Sequence, residues 1–115
     1  MKKDYEKYLG KDEQIALKVF IEQVKSFTGD NLVSIKLFGS KVRGDFNEES
    51  DLDILIILHK RDWAISHKIS VIVTDINLKY DCNVSPIIYT RVEYQKNQRF
   101  NTLFVQNLKK EAIAL

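Results

Sequence analysis

The chain of 115 residues has one cysteine, Cys82, and therefore no internal disulfide. At this length a single domain over residues 1–115 buries more than half of its unfolded surface, so packing alone can hold the fold. One proline and four glycines, with no low-complexity tract and no repeat, exclude a linker or an array. No apolar stretch approaches the roughly 18 residues of a membrane span, and no secretory signal is evident. With the lone cysteine, this points to a cytoplasmic protein without a membrane partner. Charge of one sign is also missing: 18 Lys and Arg against 16 Asp and Glu leave a net +2. The broad basic field of a sequence-independent nucleic-acid binder is absent. The only two histidines, His59 and His67, have no carboxylate or cysteine at ligand spacing, which argues against zinc.

What is present is periodicity. Leu17, Phe20, Ile21, Val24 and Phe27 recur at helical spacing between Asp12 and Thr28, and Gly29-Asp30-Asn31 supplies a stop. Val33, Ile35 and Leu37 alternate with polar residues, predicting a strand over Leu32–Phe38, closed by Gly39-Ser40. Leu52–Leu58 is nearly all apolar, as a central strand is. Asp62 is a candidate cap for a helix whose stripe is Ile65, Ile69, Ile72 and Ile76, with Trp63 expected to anchor its start. Tyr80–Val84 alternates again, and Ser85-Pro86 breaks or edges that strand before Ile87-Ile88-Tyr89. Thr90-Arg91-Val92-Glu93 fits a capping box. A last helix is expected to turn Phe100, Leu103, Phe104 and Leu108 to one side, with an apolar tail from Glu111. These elements predict a small α/β (α+β) fold, a mixed twisted sheet with helices on one face.

The chemistry concentrates in one stretch. Asp51 and Asp53 lie two apart at a strand start, so both side chains leave the same face, with Cα atoms about 6.6 Å apart. Two such carboxylates and a third from a neighbouring strand can span the roughly 3.5–4 Å between ions of a two-metal phosphoryl-transfer site. Asp81 is the candidate third, beside Asp53 if the helix after Asp62 returns the chain to the same sheet. Gly39 allows close backbone approach, Ser40 adds a hydroxyl, and the turn through Lys41-Val42-Arg43 offers N–H groups to an anion. Arg43 could add a bidentate phosphate contact and Lys41 a point charge; a solvated charged face is an equal reading of both. The P-loop pattern is absent.

Gly39-Ser40, ten residues, then Asp51-Leu52-Asp53 resembles the signature of the DNA polymerase β-like nucleotidyltransferase superfamily. Gly39-Ser40-Lys41-Val42-Arg43-Gly44 followed by Ser50-Asp51-Leu52-Asp53-Ile54 is similar to its minimal nucleotidyltransferase (MNT) branch. The resemblance implies that Gly39 and Ser40 hold a triphosphate. It also implies that Asp51, Asp53 and Asp81 bind two Mg²⁺ ions, with Asp81 helping to deprotonate an acceptor hydroxyl. The implied reaction is attack of that hydroxyl on the α-phosphorus of ATP, releasing pyrophosphate. Many members of the branch resemble antitoxins that transfer AMP to a tyrosine of a HEPN-type ribonuclease toxin. The stretch Asn107–Ile113 resembles the branch's usual ending, with Ala112 where a glycine is common.

Alternative readings stand beside this one: an antitoxin that masks its partner by binding alone, and a nucleotidyltransferase acting on a small molecule. Asp45, Glu48 and Glu49 read as solvent-facing, because further acid would repel a triphosphate. Cys82 reads as a small buried hydrophobe. Tyr5, Tyr8, Tyr89 and Tyr94 are candidate self-modification sites, though surface packing is the commoner role. The apolar stripe from residue 100 onward reads as core, part of which could meet a toxin subunit or a second copy.

Overall fold

In the computed structural model, which describes residues 4–44 and 50–115 with side chains from residue 6 onward, the 3.6-residue period after Gly10 builds α1 (Lys11–Thr28). Its face of Ala16, Leu17, Phe20 and Val24 is buried, while Phe27 in the last turn is partly exposed. Gly29, at φ 53°, ends it, and a 3-10 turn over Gly29–Asn31 leads into β1 (Leu32–Phe38). A short helix, α2 (Ser40–Arg43), follows directly. Asp45, Glu48 and Glu49 lie outside the described residues. The chain resumes into β2 (Leu52–Leu58), then α3 (Trp63–Tyr80), β3 (Val84–Thr90), α4 (Arg91–Arg99), α5 (Leu103–Glu111) and the two-residue β4 (Ile113–Ala114).

The four strands form one mixed sheet in the order β3-β2-β1-β4. β1 runs antiparallel to β2 and to β4, and α3 is the crossover that makes β3 parallel to β2. Leu52, Ile54, Ile56 and Leu58 point to the larger core, where they meet α1 and the stripe Ile69, Ile72 and Ile76 of α3. Each such side chain contributes roughly 1.5–3 kcal/mol, which fixes both helices on that face. The opposite face is not bare. Leu55 and Ile57 pack there against Leu108, with Phe38, Tyr89, Tyr94 and Phe104 around them, so α4 and α5 cover part of it.

Three local expectations are corrected. The strand read over Tyr80–Val84 begins only at Val84, because α3 continues through Tyr80 and stops at Asp81, which takes the left-handed conformation at φ 52°. Asn77 makes the join: its Oδ1 accepts from the Val84 N–H at 2.8 Å and its backbone carbonyl from the Cys82 N–H at 3.3 Å. Trp63 anchors nothing in the core; it is 77% exposed and stacks on His67, one turn on. Phe100 and Leu103 are likewise more than two-thirds exposed; of the expected stripe α5 buries Leu108, and it buries Val105 in addition.

The caps behave as the sequence predicts. Asp62 Oδ1 accepts from the Ile65 N–H at 2.9 Å. Thr90 Oγ1 accepts from the Glu93 N–H at 3.1 Å while Glu93 Oε1 accepts from the Thr90 N–H at 2.8 Å. Thr90→Ala is expected to destabilise the fold by about 1 kcal/mol, read as a lower urea midpoint at unchanged m-value. An unchanged midpoint would show that the cap contributes nothing.

Candidate functional site

The register places the site. Phe38, the last residue of β1, lies opposite Asp53, so the turn that follows passes over that carboxylate. Gly39 sits at φ 88°, ψ −164°, a conformation essentially reserved for glycine. A Cβ there would overlap the Asp53 carboxylate, with the Asp53 Cγ at 3.0 Å. Gly39 is therefore required twice, by its backbone angle and by the close approach of Asp53. Ser40 opens α2 and lines the same cleft. Gly44, again at φ 88°, closes α2 by donating its N–H to the Ser40 carbonyl at 2.8 Å.

Asp53 is half-buried on β2, on the α5 side of the sheet, and Asp51 is exposed just before the strand. Burial pushes the Asp53 carboxyl up from its ordinary range, the Asp51 charge pushes it further, Arg43 opposes this and Glu111 adds to it. A carboxylate so placed is short of positive charge. Hard oxygen donors in this condition suit a divalent cation of the Mg²⁺ type.

Arg43 turns toward the cleft. Its Nη1 lies 3.1 Å from both Oε1 and Oε2 of Glu111, the last residue of α5, and the Gly39 N–H donates to Glu111 Oε2 at 2.7 Å. One carboxylate is thus already held by a backbone amide and a guanidinium beside Asp53. Glu111 is positioned by the tail, where Ile113 pairs with Leu37 and the Leu115 N–H donates to the Ile35 carbonyl at 3.0 Å. Ala112 takes extended angles, φ −66° and ψ 139°, so no glycine is required at that turn.

Lys41 points elsewhere. It is 3% exposed, with Nζ 3.0 Å from Glu13 Oε2 and donating to Glu13 Oε1 at 3.2 Å, which ties α2 to α1. A second cleft lies on that side, lined by Tyr8, Gly10, Glu13, Lys41, Ser50 and Asp81. Asp81, expected on a strand beside Asp53, is instead an exposed helix stop, and the β3 residue opposite Asp53 is Ser85. Among the described residues no three His, Cys, Asp or Glu side chains converge as a metal cage. Gly39, Ser40, Arg43 and Asp53 share one cleft, with Asp51 two residues before Asp53; Lys41 and Asp81 line the other.

Glu111 and Asn107, which complete the first cleft with Phe104, lie in the stretch that resembles the branch's usual ending, but sequence reasoning assigned neither a place in the site. A faint signal existed for Glu111. A carboxylate on the last turn of a helix opposes the helix dipole, so a compensating donor was to be expected. Cys82 is partly buried, and burial raises its thiol above the ordinary range.

Comparison with known proteins identifies the family. The model of the family described as the nucleotidyltransferase domain matches residues 17–115. Two proteins of Methanocaldococcus jannaschii, each named "Putative protein adenylyltransferase", are similar to the chain. One is 40% identical over 76 residues, covering 65% of this chain and 77% of its own. The other is 34% identical over 104 residues, covering 90% and 98%. Among solved structures, a mutant toxin–antitoxin MntA-HpeT has a TM-score of 0.55 at 16% identity, over 86% of this chain and 70% of that one. A toxin–antitoxin with AMP-PNP has a TM-score of 0.54 at 17% identity, over 84% and 70%. These two share the fold.

Proposed function

The chain belongs to the nucleotidyltransferase domain family, and from that premise we propose that it transfers AMP from ATP to a hydroxyl of a partner protein, a tyrosine of a HEPN-type ribonuclease toxin, and so acts as its antitoxin. The observation that carries the reading is a held anion. Gly39 N–H and Arg43 grip a carboxylate beside Asp53, and the same two donors suit the oxygens of a triphosphate. The protein acceptor is supported by the names of the Methanocaldococcus relatives, and the toxin partner by the resemblance of the Gly39–Ile54 stretch to the MNT branch.

Asp51 and Asp53 would hold Mg²⁺, whose chemistry is to offset charge on the entering and leaving oxygens. Two carboxylates suffice for an ion that takes its remaining ligands from phosphate and water. Gly39 brings the backbone N–H to the phosphate chain, Arg43 orients it by a forked contact, and Ser40 adds a hydroxyl. Phe38 and Phe104, ring centroids 5.6 Å apart and edge to face, wall the cleft on its apolar side. Asp81 has no part in this proposal.

Ser85 opposite Asp53, where a third carboxylate was expected, favours a second reading: a partner that masks its toxin by binding alone. Incubation with α-labelled ATP, Mg²⁺ and a HEPN-type ribonuclease separates the two. The expected result is an AMP adduct on a tyrosine of the ribonuclease by mass spectrometry, with ribonuclease activity lost in step. A stable complex that silences the ribonuclease without any adduct would reject transfer in favour of masking.

A further inference from the structure

We propose that Glu111 is an internal occupant of the phosphate cradle: its carboxylate holds the Gly39 N–H and the Arg43 guanidinium until the anionic chain of a nucleoside triphosphate displaces it. This rests on the nucleotide reading of the cleft and adds a competitor to it.

The geometry is specific. Both cradle donors of the cleft are spent on the same side chain, Gly39 N–H at 2.7 Å and Arg43 Nη1 at 3.1 Å from each oxygen. A phosphate oxygen cannot take these donors while Glu111 has them. The Glu111 side chain is 12% exposed and that of Arg43 45%, so the carboxylate lies inside and the guanidinium closes over it. The remaining cleft is small, about 250 Å³, below the roughly 300–1,000 Å³ of ordinary ligand sites.

Glu111 does not stay there by helix energetics. It is the final residue of α5, where the dipole disfavours a carboxylate, so its two donors account for its position. It also adds to the crowding of negative charge at Asp53. A role as third cation ligand is not supported, since no triad of ligating side chains converges among the described residues. Release requires no unfolding. The Ala112 N–H stays on the Leu108 carbonyl and the pairing of Ile113 with Leu37 continues, so rotation of one flexible side chain vacates the cradle.

An occupied cradle lowers apparent affinity by the fraction of molecules in which it is free. Glu111→Gln keeps the shape and removes the charge, and is expected to tighten AMP-PNP binding by about three- to tenfold, measured by calorimetry with Mg²⁺. Equal or weaker binding by this variant would overturn the proposal, since a residue that merely organises the cradle predicts a loss. The wild-type protein supplies an independent reading that needs no variant. On saturation with AMP-PNP, the side-chain carboxyl ¹³C resonance of Glu111 should move to the position of a solvated glutamate as the Gly39 amide shifts. A Glu111 resonance unmoved by bound nucleotide would also overturn it. Failure of AMP-PNP to bind either form would reject the nucleotide reading together with this one, whereas binding without a gain in the variant rejects the competitor alone.

Discussion

Asp53→Asn is expected to reduce nucleotidyl transfer by about a thousandfold while leaving the protein folded and, without divalent cation, slightly more stable. The loss follows from position: Asp53 is the half-buried member of the acidic pair, pressed against Gly39 and facing the cleft that holds Arg43. Removing one preorganised charge of this kind typically costs a factor of about 10²–10³, and loss of a cation with it raises the figure. The gain follows from linkage. The folded-state pKa of Asp53 is raised, by burial first and then by Asp51. A raised carboxyl contributes stability that is present below its unfolded value, ordinarily near 3.8, and lost as pH rises through the folded value. At neutral pH the charge is therefore a liability in the absence of a cation. The side chain is only half-buried and water screens much of the effect, so a Tm rise of about 1–2 °C in EDTA is the expected size. Melting curves in EDTA from pH 4 to 8 check the sign: wild type should decline relative to Asp53→Asn across that window. A variant less stable than wild type throughout would show that Asp53 is held by contacts that favour its charge.

Gly39→Ala should cost both fold and function. At φ 88°, ψ −164° any side chain is strained by about 1–3 kcal/mol. The new methyl would also drive into the Asp53 carboxyl group, whose Cγ and Cβ lie 3.0 and 3.2 Å from the ideal position. Relief by rotating the Asp53 oxygens alone is insufficient, because the Cβ belongs to the strand. Either β1 and β2 part locally at Phe38 and Asp53, or the turn withdraws its N–H from the cleft. A loss of about 2–4 kcal/mol is expected, read as a Tm lower by roughly 10 °C, with transfer abolished even below the new Tm. Retained activity at wild-type Tm would mean that the turn relaxes without moving the amide, and would remove Gly39 from the site.

Much of the fold was legible because several signals agreed at each boundary. Leu32–Phe38 and Leu52–Leu58 match the strands residue for residue, the first an alternating segment closed by a Gly-Ser turn and the second a nearly continuous apolar run. The crossover helix announced itself through Asp62 and a stripe of isoleucines. The misreading at Tyr80–Val84 arose where only three residues set the period. The Asn77 side chain, bonded to the strand start, lets the helix run on through Tyr80, where alternation suggested a strand. Asp81 was misplaced for the same reason: a helix that ends in a left-handed aspartate delivers the chain to the sheet four residues later, and Ser85 takes the position opposite Asp53. The acidic pair and the Gly-Ser turn could be read because they are contiguous and their geometry is set by a strand. Glu111 could not, because it reaches Gly39 across 72 positions through the pairing of a two-residue strand. Lys41 was assigned to the anion by its neighbours in sequence, yet a short helix turns adjacent residues to different sides, and Glu13 claimed it.

Pro86 has a consequence for how molecules of this protein behave toward one another. Among the described residues β3 is an outer strand, paired only with β2, and a ring nitrogen in its middle leaves one gap in the row of donors that an incoming strand would need. The opposite border is β4, two residues long. A sheet whose core strand is among the most apolar segments of the chain is thereby finished at both margins with poor templates for strand addition. Crowded solutions of the folded molecule should resist growth of the sheet from one copy into the next.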